Sequence, residues 1–371
     1  MPVEVPLSLR EFGWKNDQLT IWHGQSIRNV LDGTPLSSRA WTVQERLLAP
    51  RTLHFLRNQV IWECYDLLAS ESDPEAGHLW ERSFWADNIV TSDQELLWHT
   101  KWREVVAVFT QADLTYQSDK LIAISGIAKY ISSTEIAKHI ASLWPGNTPR
   151  YYAGIWGHCA EVSLLWYISG GTRGIADERA PTWSWGRRKG EVECYASMGH
   201  IQLLASVVEI KADSIGGDEF GPVDGGVIRI RGPISRVTLR FAEGNGAVVE
   251  GTGSRLRLRD WEFDDGAPLV AHDTNASAGL LLLGIAMDGD GDPFVTLQGL
   301  ILVPTGQQRG EYVRVGYWMM EDSDHGLGDV DNMPQEARYG YFADKIGLST
   351  LEKSHFEEDG EEKGVYTITI I

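Results

Sequence analysis

The chain has 371 residues, 43% of them apolar and 23% charged, a balance that suits a folded chain long enough to bury the cores of about two domains. Acidic residues outnumber basic ones 52 to 33, a formal net charge of −19, and a field of that sign repels phosphate, which argues against nucleic acid or an anionic membrane as partner. No run approaches the ~20 apolar residues of a membrane span, MPVEVPLSLREFG lacks the apolar core of a signal peptide, and three cysteines (Cys64, Cys159, Cys194) fit a reducing, cytoplasmic setting.

The first predicted element is a helix capped by Ser38, with Ala40, Val43 and Leu47 on one stripe beside Trp41, Gln44 and Leu48, stopped by Pro50. Arg39, Arg46 and Arg51 around it are expected to pair with Glu45, Glu63 or Glu71, since a planar guanidinium matches a carboxylate. LHFLRNQVIWECYD (53–66) reads as two short strands turning at Arg57-Asn58. Three helices follow. Residues 93–112 put Leu97, Trp98, Trp102, Val105 and Phe109 on one side, 119–133 start at Asp119, and 151–168 are apolar enough to be mostly buried.

Near residue 200 the pattern changes to eight short runs, each bounded by Gly, Asp or Asn. Such a series predicts a β-sandwich or barrel, and the absence of a fixed period argues against a propeller. MDGDGDP (287–293) lacks the spacing of a calcium loop and reads as a hairpin turn. Residues 321–340 and 352–364 read as acidic loops. The expected fold class is α+β, with a helical N-terminal layer (1–198) packed on a β-rich half (199–371).

Generic catalytic motifs are missing: no G-x-S-x-G elbow, phosphate loop, H-E-x-x-H or C-x-x-C. Nothing predicts a metal or a cofactor. The unusual number is 15 tryptophans. Each buries a large area and each indole N–H wants an acceptor, so a tryptophan-rich interior tends to be partly polar. If Trp183-Ser184-Trp185 is extended, both indoles point to one face.

Several ordered blocks resemble fungal heterokaryon-incompatibility (HET) proteins. PLSSRAWTVQERLLAPRTLHF (35–55), followed by VIWECYDLLASESDPE, resembles the family's R-A-W-x-x-Q-E-R-L-L-x-x-R helix, W-E-C strand and S-E-x-x-P turn. WREVVAVFTQADLTYQSDKLIAISGIAKYI (102–131), YYAGIWGHCAEVSLLW (151–166) and RAPTWSWGRRKGEVEC (179–194) resemble later family segments, as do YVRVGYW (312–318) and the closing VYTITII. The family's front half, with Y-x-x-L-S-Y-x-W-G and W-I-D-x-x-C-I-N-Q segments, is not seen here. That half is the part associated with cell-death signalling, and the R-A-W-x-x-Q-E-R helix normally packs against it.

The resemblance supports two readings. In one, the shortened scaffold binds an apolar small molecule and acts as a cofactor-free cyclase of the pericyclase or Diels–Alderase kind in fungal secondary metabolism. Such chemistry needs a shaped pocket and one or two carbonyl-polarising donors. Trp41, Trp62, Tyr152, Trp156, Trp183 and Trp185 are the expected walls. Gln44, Arg39 and Ser184 are the expected donors, and Glu45 and Glu63 would hold Arg46 and Arg51 as structural ion pairs. In the other, the chain is a truncated self/non-self recognition protein acting through protein contacts.

Overall fold

The computed structural model describes residues 31, 34–57, 59–64, 67–71, 94–133, 149–171, 174–194, 201–241, 246–250, 253–259, 277–288, 295–322, 334–347, 349, 351, 355–359 and 364–371. The chain divides into two compact units, residues 1–87 and 88–371. The fold class is α+β, as expected, but the division does not fall at 198. The helices and loops between 94 and 194 share one core with the strands that follow: the Trp183 indole donates to the carbonyl of Gly226, and the backbone N–H of Thr182 to that of Ile371.

In the first unit, helix α1 (Ala40–Leu48) precedes a three-stranded antiparallel sheet of β1 (Arg51–Phe55), β2 (Val60–Cys64) and β3 (Leu68–Ser70). The 53–66 reading as two strands holds. Ser38 is not the cap: its hydroxyl donates to the carbonyl of Pro35, and Arg39 takes the cap position without a side-chain bond. Of the expected arginine network, the described residues show the pair of Arg46 with Glu63. Arg46 reaches Glu63 through Nε at 3.0 Å and Nη2 at 3.1 Å, and His54 Nε2 lies 2.7 Å from the same carboxylate. Glu63 is 3% exposed, so its charge depends on these partners. Among the described residues Glu45, Arg39 and Arg51 make no ion pair, all three side chains being exposed. Glu71 accepts from the backbone N–H of Val60.

In the second unit, α2 (Gln94–Gln111) buries Trp102, Val105 and Phe109, one side of a 3.6-residue period. Leu97 and Trp98 lie outside the residues whose side chains are described. Helix α3 (Lys120–Ser132) begins after Asp119 and buries Leu121, Ile124, Ile127 and Ile131. The third expected helix is not one. Residues 151–168 form β4 (Tyr151–Tyr152), β5 (Ile155–Trp156), one turn of 3-10 helix, the short α4 (Ala160–Ser163) and the start of β6 (Trp166–Gly170), which pairs with β7 (Glu191–Cys194). Ala153 (φ 44°) and Gly154 (φ 103°) turn the chain back on itself after two residues, and no α-helix survives left-handed backbone. The apolar content of this stretch reflects burial rather than helical period.

Ten strands form the main sheet. They are β8 (Ile201–Leu203), β9 (Ser206–Ser214), β10 (Val223–Phe241), β11 (Gly246–Val249), β12 (Arg255–Arg259), β13 (Ser277–Asp288), β14 (Val295–Pro304), β15 (Glu311–Asp322), β16 (Glu358–Asp359) and β17 (Val365–Ile370). The circuit β10–β11–β12–β15–β14–β13–β10 closes through antiparallel pairings, so of the two expected architectures, sandwich or barrel, it is the barrel. Two of the eight short runs, GVIRIRG (226–232) and SRVTLRF (235–241), lie in one 19-residue strand, β10. Its first half pairs with β9 and β17 and its second with β11 and β13. Pro233 falls where the partners change, after the last β9 pair at Arg231, so its missing N–H interrupts no ladder there.

Leu282, Leu297, Ile301, Trp318 and Met320 meet Phe342 of α5 (Gln335–Lys345) and Ile346, its C-cap, in one apolar cluster. Gly284 and Gly299 are cross-strand partners. A Cβ on Gly284 would lie 2.6 Å from the Phe342 ring, and one on Gly299 2.8 Å from the Trp318 indole nitrogen, so the bare backbone makes room for both rings. Helix α5 and strand β16 occupy parts of the two stretches read as acidic loops; residues 323–333, 352–354 and 360–363 of those stretches, and most of the 287–293 turn, lie outside the described residues.

Glu63→Ala should destabilise the first unit by about 1–3 kcal/mol, because it removes the acceptor of the half-buried Arg46; Glu45→Ala should stay within about 0.5 kcal/mol. Urea melts of the two variants check the contrast.

Candidate functional site

The Trp183-Ser184-Trp185 box and the 151–156 hairpin build one aromatic knot. Trp102 from α2 and Trp185 both donate their indole N–H to the carbonyl oxygen of Gly154, at 2.9 and 2.8 Å. Ser184 donates to the carbonyl of Ala153 at 2.5 Å and accepts from the backbone N–H of Gly186 at 3.0 Å. Trp166 donates to the carbonyl of Trp183. Trp102, Tyr151 and Trp156 meet edge to face with centroids 5.3–5.7 Å apart, and Tyr151 stacks on Phe220. Lys120 is buried beside them; its ammonium donates to the carbonyls of Arg188 and Gly190 and lies 5.7 Å from the Trp185 ring.

These contacts correct the expected pocket. Trp183 is 0% exposed, Trp185 2% and Trp156 0%, and the Trp183, Trp185 and Ser184 donors are spent on backbone carbonyls. They are core: Trp185 and Ser184 donate to the 153–154 turn and Trp183 to Gly226 on β10. Tyr152 is half-buried. Trp41, at 38% exposure, the half-buried Trp62 and Gln44, and the exposed Arg39 belong to the first compact unit, not to this knot. Burial pushes the Tyr151 hydroxyl above its usual range and the Cys194 thiol up to about 12, so Cys194 stays protonated near neutrality despite the opposing pull of Arg103 and Arg314. Burial also lowers His158 to about 4. Among the described residues, no three His, Cys, Asp or Glu side chains gather to hold a metal ion, and no helix is long and apolar enough to cross a membrane.

Open space lies elsewhere. A cleft of about 610 Å³ runs along the turn between β14 and β15, lined by Pro304, Gln307, Arg309, Glu311, Tyr312 and His355 among others. Its walls are held by hydrogen bonds. Thr305 donates from its hydroxyl to Glu311 Oε2 at 2.7 Å and accepts the backbone N–H of Gln307. Arg309 donates Nε to the carbonyl of Phe356 at 2.7 Å and Nη2 to that of Glu357 at 3.3 Å, with its guanidinium 5.6 Å from the Phe356 ring centroid. Tyr312 donates to the carbonyl of His355 at 2.7 Å. Arg236 lies 3.0 Å from His355 Nε2, and since a guanidinium only donates, that nitrogen accepts. Burial raises Tyr312 to about 12, against the pull of Arg236, so its hydroxyl keeps its proton.

Sequence reasoning missed this cleft. PTGQQRGEYV (304–313) shows a polar turn with two glycines, but His355 and Phe356 come from more than 40 positions away. No protein-family model matches the chain, and neither a curated protein nor a solved structure matches it.

Trp183→Ala should cost about 3–5 kcal/mol of stability in a denaturant melt, the loss of a large core ring. An unchanged midpoint would contradict the core assignment. His158 has a folded-state value below its ordinary 6.5, so its contribution is complete above pH 6.5 and is lost as pH falls through about 4. Glu161, raised by burial, works in the opposite sense. Between pH 7 and 4 the wild type should therefore lose up to about 3 kcal/mol more stability than His158→Gln.

Proposed function

We propose that the chain is a HET-like protein that binds a small molecule in the cleft beside the β14–β15 turn and promotes its cyclisation without a cofactor. The ordered blocks at 35–55, 102–131, 151–166 and 179–194 support the family; the cleft supports the small molecule. The observation that carries the reading is the 610 Å³ volume, inside the range of about 300–1,000 Å³ typical of organic ligands, with Arg309 on its wall.

Arg309 is fixed by two backbone carbonyls and an aromatic face, while among the described residues its Nη1 group has no acceptor. A guanidinium so placed polarises a substrate carbonyl without reorganising during the reaction. The Tyr312 hydroxyl, protonated and pinned to the carbonyl of His355, offers a lone pair and a ring wall. Holding two unsaturated ends at contact distance supplies the rest, and a pericyclic step needs no nucleophile. The expected walls Trp183 and Trp185 belong to the scaffold in this reading, and the site is more polar than the sequence suggested.

A second reading, recognition through protein contacts, has one observation in its favour. On β1, Leu53 and Phe55 point outward at 52% and 79% exposure, on the same face of the strand.

Expression in a filamentous fungal host separates the two. A new cyclised metabolite with the wild type, lost in Arg309→Ala but retained in Phe55→Ser, is the expected outcome. Growth arrest that depends on Phe55, with an unchanged metabolite profile, would overturn it in favour of recognition.

A further inference from the structure

Two opposite charges line the cleft and do not pair with each other. Glu311 is buried at 9% exposure, and its carboxylate has one described side-chain donor, the Thr305 hydroxyl. Arg309 is held by carbonyl oxygens, not by a carboxylate. Among the described residues neither makes an ion pair, although the chain carries 52 acidic and 33 basic residues that could supply one. A desolvated carboxylate without a cation is costly, and a second hydrogen-bonded partner of opposite charge removes much of that cost. Each side chain has its own bonds: the Thr305 hydroxyl donates to Glu311, and the carbonyls of Phe356 and Glu357 accept from Arg309. A ligand of matching polarity in the cleft that both line would meet the two charges together.

The turn itself adds donors. Among the described residues the backbone N–H groups of Gly306, Gln308, Arg309 and Gly310 have no acceptor, and all four residues line the cleft. Successive free amides in a turn favour a negative group. A simple anion would meet these donors but also the Glu311 charge. A simple cation would meet Glu311 but also the Arg309 charge. A molecule bearing both a carboxylate and an ammonium meets neither penalty.

Resting on the reading of this cleft as the working site, we propose that it takes an α-amino acid or an amino-acid-like zwitterion. The carboxylate sits on Arg309 Nη1 and the turn amides, and the ammonium on Glu311. The volume leaves room for a side chain of aromatic size.

The test is a titration of the full chain with three probes, L-phenylalanine, 3-phenylpropanoate and 2-phenylethylamine, followed by the amide resonances of Gly306, Gln308, Arg309 and Gly310. L-Phenylalanine should give saturable shifts, with each single-charge analogue at least about tenfold weaker. Glu311→Gln keeps an oxygen for Thr305. It should weaken phenylalanine about tenfold and leave 3-phenylpropanoate unchanged or tighter. Absence of saturable shifts with phenylalanine, or 3-phenylpropanoate binding as tightly as phenylalanine to the wild type, would overturn the assignment. Phenylalanine binding without a cyclised product in the fungal host would sink the cyclase reading and leave the zwitterion site standing. An Arg309-dependent product without phenylalanine binding would do the reverse.

Discussion

Two indole N–H groups converge on one carbonyl oxygen, that of Gly154, and much of the second unit is arranged around that meeting. A buried indole without an acceptor is expensive, and a carbonyl has two lone pairs, so one oxygen satisfies both rings. The geometry demands that the backbone approach both rings closely. A Cβ at position 154 would lie 2.6 Å from the Trp185 indole nitrogen, and the residue sits at φ 103°, so glycine is required twice over. Trp102 comes from α2, Trp185 from a loop after β6, and Gly154 from the β4–β5 turn. One acceptor thereby ties a helix, a loop and a hairpin together.

That knot is fastened to the barrel by a second set of polar contacts. Thr182, next to Trp183, donates its backbone N–H and its hydroxyl to the carbonyl of Ile371, the last residue of the chain, and accepts the backbone N–H of Arg314 on β15. Arg314 is itself buried, with its guanidinium 3.4 Å from the Trp166 ring centroid and a hydrogen bond to the carbonyl of Trp166. A stacked, hydrogen-bonded guanidinium tolerates burial better than an ammonium, because it is more weakly hydrated. At β15 the outer face of the barrel is therefore not a solvent face. Tyr317 of β15 stacks on Tyr167 of β6 and hydrogen-bonds Gln298 of β14. Two-sided burial explains why β13, β14 and β15 read as continuous apolar runs rather than alternating ones.

The division of labour follows. The aromatic box near 183–185, the most conspicuous feature of the sequence, is spent on holding two layers together. The cleft sits at the far end of the β14–β15 hairpin, where the chain must turn and where backbone donors are left over. Its side chains are ordered by contacts to the 355–357 segment, so the site depends on a return of the chain that no local pattern announces.

Local chemistry was enough for some elements. Trp102, Val105 and Phe109 repeat at helical spacing and are buried. The β1–β2 hairpin, the run of strands after residue 200 and the pairing of an arginine with Glu63 also follow from residue type and period. The same signals misled where burial, not period, set the composition: residues 151–168 are apolar because two layers cover them, and two left-handed residues break the helix that composition suggests. Gly340 and the charged residues around it hid α5, whose Phe342 gains its stability only inside the barrel. What the sequence determined by itself was the fold class, most of the strands and the abundance of indoles, because these depend on neighbours within a few residues. Only the tertiary structure decided that Trp102 and Trp185 share one acceptor, that the barrel closes through β10, and that Arg309 and Glu311 line one cleft. Those outcomes depend on contacts between segments far apart in the chain, for which local periodicity carries no information.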